Sequence, residues 1–368
     1  MNESVLVDCA RSVLARHGDG WQVHLGDFWC QVRPPRHRTR VQGWKLHLSA
    51  TPLSAPLVLA AAAEILVRHN CAFKFAGTLS RVRELNSRHV DRGGGGKFIT
   101  AYPDCPDDEL LALADELHTA TAGLPGPGIL SDRPYRPGSR VHYRYGVFEG
   151  VRMLGNDGVY EAMLIAPDGS LVLDQRKAWF TPPSWAPRDP FTPDGPAASG
   201  DHSAGTGRPT TPARPATTPK PVLLDGRYLV REVIRHAFPG GVYRATDQRT
   251  GAEVIIKQAR PHTGADLTGR DVRDERRHEA AMLTLFEPTG ITPRLVGLFE
   301  QQGDLFLAEE AIPGGTLRQW VSAHTALDDG DGWGPPVDDV LRLAAALVEL
   351  MGIVHAKGDV LRDFNPNN

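Results

Sequence analysis

The sequence contains little of what marks a disulfide-rich, zinc-binding or membrane-anchored protein. Its 368 residues include four cysteines, and no two of them form a Cys-x-x-Cys pair, so neither a disulfide framework nor a zinc knuckle is indicated. The N-terminus lacks the basic segment and apolar run of a signal peptide. The most apolar stretch, residues 56–67, is interrupted by Glu64 and is too short to span a bilayer. We therefore expect reduced, mostly buried thiols, no zinc, no membrane partner and a cytoplasmic location.

The charge balance gives no indication of a nucleic-acid partner. The formal net charge is −3, and the contents of 41% hydrophobic and 23% charged residues are ordinary for a globular protein. A basic stretch near the N-terminus lacks the interleaved aromatic residues of a single-strand binder. We expect it to line a path for an anionic peptide or phosphate; it consists of Arg33, Arg36, Arg38 and Arg40.

A change of composition divides the chain into two domains. Residues 188–221 are rich in Pro, Gly, Ala, Ser and Thr and contain almost no large apolar residue, which predicts a disordered, semi-extended linker. Residues 1–187 carry mixed helix and strand patterns, which predict an α+β domain. Residues 222–368 predict five strands with one helix after the third strand, followed by further helices. The predicted fold class is therefore α+β, with two domains.

The second domain carries residues with the spacing of a protein-kinase catalytic loop. Arg362-Asp363 is followed by Asn368, five residues after Asp363. In kinases this Asp accepts the proton of the substrate hydroxyl and this Asn holds a magnesium ion. No Asp-Phe-Gly follows to hold the other metal. We expect a kinase-like amino-terminal lobe and the start of the carboxyl-terminal lobe, truncated at the catalytic loop and without phosphoryl-transfer turnover on its own.

A lysine and a glutamate in this domain match the kinase order. Lys257 ends the apolar strand 254–257, where a kinase places the lysine that pairs with nucleotide phosphates. Glu279, on the next predicted helix, is the first candidate for its partner, and Glu275 is the alternative. The alternative interpretation is that Lys257 is a solvated charge at a strand end, and that Glu279 and Glu275 are solvated charges on a helix face.

The remaining nucleotide-binding signals are weaker. The segment 235–242 keeps only Gly240 of the expected glycine-rich loop. Glu310 and Ile312 lie where a kinase hinge binds adenine through its backbone, and Glu309 takes the preceding gatekeeper position, which is unusual for a charged residue. We expect a nucleoside triphosphate and Mg²⁺ as ligands of the intact kinase, with a pseudokinase as the alternative.

The first domain contains a lysine and a histidine that point to acid–base chemistry. In Lys45-x-His47 both side chains lie on one face of a predicted strand, because strand side chains alternate. Lys74, flanked by Phe73 and Phe75 on a neighbouring strand, is predicted to be desolvated and therefore a neutral base. A histidine kept protonated by bound phosphate can act as the acid. Together these groups can remove a proton from carbon and expel a phosphate.

Such a reaction needs further cations to hold the phosphate and the enolate-like charge. The candidates are Arg88, Lys97 and Arg133. Each of them by itself is also compatible with a solvated surface cation.

The combination of these segments resembles the class III lanthipeptide synthetases, in which a lyase domain precedes a kinase domain. The resemblance covers essentially the whole chain, and its motifs are Trp44-Lys45-Leu46-His47, Phe73-Lys74-Phe75, residues 96–103, residues 128–133, residues 143–146 and residues 361–368.

The resemblance implies a two-step dehydration of a ribosomal precursor peptide. The kinase domain phosphorylates Ser or Thr, and the lyase domain eliminates the phosphate without a cofactor to leave a dehydroamino acid. By resemblance, Lys74 is the base, His47 the acid and Lys45 a partner for the carbonyl or the phosphate. The phosphate ligands would be Arg88, Lys97 and Arg133. A C-terminal cyclase domain is expected beyond Asn368 and is missing from these residues.

Two other interpretations stay open. One is a Ser/Thr kinase that carries an unrelated α+β regulatory domain. The other is a peptide-binding scaffold with a pseudokinase lobe. A related class of synthetase shares the lyase and kinase domains and differs mainly in the zinc ligands of its cyclase.

Overall fold

The computed structural model describes residues 5–17, 19–35, 40–156, 158–192, 222–325, 335–362 and 365–366. These residues form helices and three antiparallel sheets. This mixture of helices and strands agrees with the predicted α+β class. Most of the predicted linker, residues 193–221, lies outside the described residues. The predicted catalytic-loop positions Asp363 and Asn368 also lie outside them.

The first half of the chain is built on a seven-stranded sheet. Its elements are α1 (Val5–Leu14), β1 (Gln22–Leu25), β2 (Trp29–Arg33), β3 (Gln42–Leu48), α2 (Ala55–Arg68), β4 (Ala72–Ala76), α3 (Leu79–Leu85), β5 (Ile99–Tyr102), α4 (Asp107–Ala120), β6 (Arg133–Pro134) and β7 (Val141–Val147). The strand order across the sheet is β1-β2-β4-β5-β3-β7-β6. Strands β3, β5 and β4 therefore lie side by side in the middle of the sheet.

Apolar side chains on one face of this sheet pack against the helices. Leu46 and Leu48 of β3 and Phe73 and Phe75 of β4 are almost completely buried in the same cluster as Leu59 of α2. Because strand side chains alternate, the residues between them project from the opposite face. Burial of the apolar face thus determines which face the intervening polar residues occupy.

A small sheet stands beside the large one. It consists of β8 (Arg152–Leu154), β9 (Tyr160–Ile165) and β10 (Leu171–Leu173), in the order β10-β9-β8. The side chain of Gln42 joins the two sheets, since its amide donates to the carbonyl of Ile165 and accepts from the N–H of Ile165, both at 2.8 Å. The small sheet is thereby held against the edge where β3 begins.

Residues 188–192 belong with the first half and not with the predicted linker. The ring of Phe191 packs on Tyr143, with 4.3 Å between ring centroids. The hydroxyl of Tyr143 donates to the carboxylate of Asp189 at 3.0 Å. The predicted boundary at residue 187 is therefore too early, because an isolated aromatic residue in a Pro-rich segment can still find a place in the core.

The second half contains a six-stranded sheet. Its elements are β11 (Leu223–Leu224), β12 (Tyr228–His236), β13 (Gly241–Asp247), β14 (Glu253–Ala259), α5 (Val272–Phe286), a short 3₁₀ helix (Glu287–Thr289), β15 (Leu295–Gln301), β16 (Asp304–Glu310), α6 (Leu317–Thr325) and α7 (Val337–Ala356). The order across the sheet is β11-β12-β13-β14-β16-β15. The predicted five strands with a helix after the third are present, and β11 is an additional short strand.

Helix α5 is fixed at its start and along one side. Asp271 caps it in a capping box with Asp274, which satisfies backbone N–H groups of the first turn. Ala280 and Leu283 pack on Leu307 of β16. This packing brings the flank of α5 next to β14.

The four cysteines are free, with Cys30 and Cys71 buried and Cys9 and Cys105 half-buried. This agrees with the expectation of reduced thiols. Among the described residues, none of the helices combines the length and the apolar character that a bilayer crossing requires. Within the same residues, no group of three or more His, Cys, Asp or Glu side chains is arranged to hold a metal ion.

Candidate functional site

The strand register places the predicted acid and base on one face of the large sheet. Thr100 of β5 pairs with His47 of β3 on one side and with Lys74 of β4 on the other. Side chains in such a row project from the same face. Lys45, two residues before His47, pairs with Arg144 of β7 on this same face. The predicted common cleft for Lys45, His47 and Lys74 is thus present in the structure.

These side chains line a cavity between the large sheet and the small one. Its volume is about 530 Å³. Six cationic side chains line it, namely Lys45, Lys74, Lys97, Arg144, Arg152 and Arg176. The carboxylates in its lining are those of Glu149 and Asp174. A cavity with this excess of positive charge is suited to an anion such as a phosphate group.

His47 is held by a buried carboxylate. Its Nδ1 lies 2.5 Å from Oδ2 of Asp132, and the Asp132 side chain is fully buried. Burial lowers the pKa of His47 to about 3, with Asp132 acting in the opposite direction and Lys97 in the same direction as burial. His47 is therefore neutral in this environment, and its predicted role as an acid requires a change of that environment.

Asp132 joins His47 to Lys97. Its Oδ1 lies 3.1 Å from Nζ of Lys97 and accepts a hydrogen bond of 2.7 Å from the hydroxyl of Ser131. Burial acts to raise the pKa of Asp132, but the charge of Lys97 and the contact with His47 outweigh it and hold that pKa well below its usual range. A charged Asp132 thus fixes the acid candidate and one phosphate-ligand candidate together.

Lys74 has the environment of a neutral base, although for a different reason than the sequence suggested. Phe73 and Phe75 project into the core on the opposite face. The aromatic contact is with Trp29 of β2, whose ring centroid lies 4.2 Å from Nζ of Lys74. Burial and then the charge of Arg176 lower the pKa of Lys74 to about 8. A substantial fraction of Lys74 is therefore neutral near physiological pH.

Lys45 is more deeply buried than Lys74. Its Nζ donates to the carbonyl oxygen of Val147 at 2.8 Å and lies 5.9 Å from the ring centroid of Tyr102. Burial and the neighbouring charge of Arg144 lower its pKa well below the ordinary value. Lys45 can thus offer hydrogen-bond donors to a bound anion without a carboxylate partner of its own competing directly.

Three arginines of the cavity were not anticipated, namely Arg144, Arg152 and Arg176. Arg144 forms a buried ion pair with Asp174, whose other oxygen accepts from the N–H of Val147 at 3.1 Å. Arg176 follows two residues later and also lines the cavity. In the sequence Arg144 stands inside the recognised segment 143–146, which was the available signal for it. No comparable signal marked Asp174 or Arg176.

The structure does not bring the other two predicted phosphate ligands to the cavity. Arg88 is exposed, and its Nε contacts the ring of His89 at 3.4 Å. Arg133 pairs with Asp189 at 3.1 Å and stacks its guanidinium on Phe180, 4.3 Å from the ring centroid. Lys97 is thus the one of the three predicted phosphate ligands that lines the cavity within the described residues.

A second, smaller cavity adjoins the first. Its volume is about 190 Å³, and it shares Lys74, Tyr102 and Arg152 with the larger cavity. Arg33 and Arg40 of the basic stretch line it, whereas Arg36 and Arg38 lie outside the described residues. Two of the four arginines of the basic stretch therefore line a cavity, and a path for an anionic peptide or phosphate stays a prediction.

In the second half, Lys257 is held by two carboxylates. Its Nζ lies 2.7 Å from Oε1 of Glu279 and 2.7 Å from Oε1 of Glu309. Burial acts to lower the pKa of Lys257, but the two carboxylates outweigh it and raise the pKa above the ordinary value. The pairing with Glu279 is the predicted one, and Glu309 adds a second acidic partner.

The other predicted nucleotide-site residues lie around Lys257. Gly240 packs so closely on β14 that a side chain there would overlap the backbone of Gln258. Glu310 ends β16, and its N–H donates to the carbonyl of Arg294 at 2.9 Å. Ile312 follows β16 and is largely exposed. The strand pair that carries Lys257 is thus surrounded by Gly240, Glu310 and Ile312. Their roles in nucleotide binding stay predictions.

The geometry of the first half defines a cation-lined cavity in which a lysine of lowered pKa and a carboxylate-bound histidine project from one sheet face. The sequence model of the RamC N-terminal domain matches residues 10–202. The chain therefore belongs to this family, and the resemblance to class III lanthipeptide synthetases is confirmed.

Several characterised proteins are similar to parts or most of the chain. A probable SapB synthase of Streptomyces coelicolor is 33% identical over 351 residues, which cover 94% of this chain and 36% of that protein. CBL-interacting protein kinase 22 of Oryza sativa subsp. japonica is 29% identical over 158 residues, covering 40% of this chain and 33% of that kinase. Serine/threonine-protein kinase B of Synechocystis is 24% identical over 147 residues, covering 39% of this chain and 24% of that kinase. The chain thus spans about a third of the length of the synthase it matches.

Proposed function

We propose that this chain takes part in the dehydration of a ribosomal precursor peptide. The first half would act as a phosphoserine and phosphothreonine lyase, and the second half as a Ser/Thr kinase lobe that uses a nucleoside triphosphate and Mg²⁺. The observation that carries the proposal is the cationic cavity in which Lys74, with its lowered pKa, shares one sheet face with the His47–Asp132 pair.

In the proposed elimination, neutral Lys74 removes the α-proton of the phosphorylated residue. The electron pair forms the Cα–Cβ double bond as the bond from Cβ to the phosphate oxygen breaks. The phosphate leaves with a proton from the other ring nitrogen of His47, and Lys74 carries the α-proton away. Lys97, Arg144 and Arg176 would hold the phosphate, and Lys45 would stabilise the developing charge on the adjacent carbonyl.

His47 would become an acid only when the substrate is bound. Burial and the charge of Lys97 lower the pKa of His47 and hold it neutral. A phosphate dianion would offset the surrounding cations, so that a protonated His47 is stabilised between Asp132 and the phosphate. Binding of the phosphorylated substrate would therefore raise the pKa of His47 and favour its protonated form.

For the second half, the proposed nucleotide ligands are Lys257, positioned by Glu279, and the backbone of Glu310 and Ile312 beside Gly240. Asp363 would accept the proton of the peptide hydroxyl, and Asn368 would hold a magnesium ion. The similarity to two named protein kinases supports a phosphoryl-transfer role for this part of the family.

The test is elimination from a synthetic phosphoserine peptide by the full chain, followed by mass spectrometry. We expect the peptide to lose phosphoric acid, and the same peptide without phosphate to stay unchanged. Lys74→Arg keeps the charge but cannot supply a neutral base, so it should abolish the loss. Lys177→Arg, an exposed lysine outside the cavity, is the matched control and should retain the wild-type rate. Unchanged phosphopeptide after incubation with the wild-type chain would contradict the lyase assignment.

One observation favours a second candidate for the second half, a pseudokinase scaffold. The carboxylates of Glu309 and Glu279 both contact Nζ of Lys257. Glu309 would therefore compete with nucleotide phosphates for this ammonium group. Differential scanning fluorimetry with ATP and Mg²⁺ separates the two, because a ligand that binds the folded state raises Tm. A rise in Tm supports nucleotide binding, whereas no rise at millimolar nucleotide supports the scaffold.

A further inference from the structure

The loop between β12 and β13 carries a phenylalanine whose burial its own half does not explain. Phe238 is 0% exposed, although it lies in the hairpin loop where the sequence predicted a phosphate-covering glycine-rich segment. Within the described residues, Phe238 is not part of the hydrophobic clusters that form the core of the second half. Its ring must therefore be covered by another part of the chain.

The covering segment is the glycine run of the first half, residues 93–96. A Cβ at Gly95 would lie 2.5 Å from a ring carbon of Phe238, and a Cβ at Gly96 would lie 3.2 Å from Cζ of the same ring. No side chain can therefore replace the hydrogen at Gly95 while the ring stays in place. The absence of a side chain lets the aromatic ring pack directly on the backbone of the run.

The other contacts of the glycine run lead to the cationic cavity. A side chain at Gly93 would overlap the carbonyl of Arg176, and the carbonyl of Gly93 accepts from the hydroxyl of Ser131 at 2.9 Å. The same hydroxyl oxygen lies 2.7 Å from Oδ1 of Asp132. Lys97 follows the run directly. The run thus lies between Phe238 and three charged groups of the cavity.

The loop that presents Phe238 is itself fixed. The guanidinium of Arg260 donates to the carbonyl of Ala237 at 3.0 Å and to the carbonyl of Phe238 at 2.8 Å. The N–H of Arg260 donates to the carbonyl of Pro239 at 2.8 Å. Three successive carbonyls are therefore held by Arg260, the residue that directly follows β14, the strand that carries Lys257. A second contact between the halves, from the N–H of Gly264 to the carbonyl of Asn86 at 2.8 Å, reinforces the docking.

We propose that Phe238 is a positioning residue for the lyase cavity: docked on Gly95 and Gly96, it sets the place of Lys97 and Arg176 from the second half of the chain. This inference rests on the proposed function. The contact joins the two halves into one functional unit. The backbone that positions the phosphate ligands packs against the β12–β13 loop, and this loop lies next to the proposed nucleotide site. Binding of a nucleotide under that loop should then change phosphate affinity in the cavity, and the reverse by the same factor.

The test is a double-mutant cycle at Phe238 and Gly95 in the full chain. Gly95→Ala adds a methyl group that the ring cannot accommodate, and Phe238→Ala removes the ring. We expect each single variant to lower kcat/KM for phosphopeptide elimination by about ten- to a hundredfold, since misplacement by about 1 Å has effects of that size. In the Phe238→Ala background, Gly95→Ala should have almost no further effect, because the clash has gone. Gly352→Ala, at an exposed glycine of α7 with nothing within 4 Å of the added Cβ, is the control and should behave as wild type.

Positioning through this contact is supported if the variants change kcat and phosphate affinity alone. The Tm of the double variant should then be lowered by the same amount as that of Phe238→Ala. Wild-type kcat/KM in both single variants, or effects that multiply in the double variant, would overturn it. If the wild-type chain eliminates nothing, the proposed function fails, and inorganic phosphate binding by calorimetry decides the inference separately. The same non-multiplicative pattern in phosphate Kd supports it, and equal Kd values in all variants overturn it.

Discussion

The two halves of the chain use a strand lysine in opposite ways. Lys74 lies among the cations of the cavity without a carboxylate partner in direct contact in the described structure, and its pKa falls to about 8. Lys257 is similarly withdrawn from solvent but touches Glu279 and Glu309, and its pKa rises. Burial acts in the same direction at both sites. The partners, and not the lysine or its strand, decide whether the pKa of the side chain falls or rises.

The largest effect is expected from removing the unpartnered lysine. Lys74→Met should lower the rate of phosphopeptide elimination by about 10³-fold, since general-base catalysis contributes about 10²–10⁴-fold. The same change should raise Tm by a few degrees, because it removes the cost of placing an amine among Arg176, Arg152 and Lys97. Elimination kinetics and thermal melting of one preparation check both. A Tm below that of wild type would contradict the electrostatic account.

The matched substitution in the second half should act in the reverse sense on stability. Lys257→Met removes the cation between the carboxylates of Glu279 and Glu309, so Glu309 loses its ion-pair partner and Glu279 keeps only its contact with Arg276. Stranding such charges costs about 1–3 kcal/mol, so Tm should fall by at least roughly 2 °C. Nucleotide-induced stabilisation should disappear as well, whereas elimination from an already phosphorylated peptide should persist. Melting curves with and without ATP and Mg²⁺ measure the difference.

The next effect is expected at the carboxylate that organises the cavity. Asp132→Asn keeps the size of the side chain but removes the charge that faces both His47 and Lys97. We expect kcat to fall by about 10²-fold, because His47 is then less easily protonated as the leaving phosphate requires it. The high-pH limb of the rate profile should move to lower pH, a shift that simple loss of folding would not produce. An unshifted profile with reduced kcat would point to a structural role alone.

The pH dependence should separate the two lysines. Lys74 must be neutral and His47 protonated in the substrate complex, so kcat for elimination should rise with pH toward about 8 and fall again at the pH where substrate-bound His47 loses its proton. Over the same range ATP binding should be flat, since the pKa of Lys257 is raised above 10.5. Between about 8 and 10.5 the unfolded chain binds more protons at Lys74 than the folded chain, so this group makes stability increase with pH. Rate profiles and nucleotide titrations at matched ionic strength test this contrast.

The smallest effects are expected at the two arginines outside the cavity. Arg88→Ala and Arg133→Ala should change kcat/KM by less than about threefold, because neither side chain lines the cavity and exposed ion pairs contribute little. Arg176→Ala, which removes a cation from the lining, should raise KM by at least about tenfold. Phosphopeptide kinetics of the three variants would decide between the phosphate ligands expected from sequence and those suggested by the cavity.

The common face of Lys45, His47 and Lys74 could be predicted from the sequence. Side chains alternate along a strand with a period of two, and the apolar neighbours of these residues indicate which side faces the core. It also contained the order of strands around α5 and the pairing of Lys257 with Glu279. It could not show that Trp29, rather than Phe73 or Phe75, covers Lys74, because β2 and β4 become neighbours only through pairing across the sheet.

What the tertiary structure decided is the set of charges that meet in the cavity. Asp132, Asp174 and Arg176 lie outside the strands and reach the site only through the tertiary fold, whereas Arg88 and Arg133 do not line the cavity. Phe238 and Gly95, more than 140 positions apart, meet in the same way. Alternation along a strand is a local property that a single segment carries. The pKa of a buried lysine depends on charges from distant segments, and only the folded chain brings those segments together.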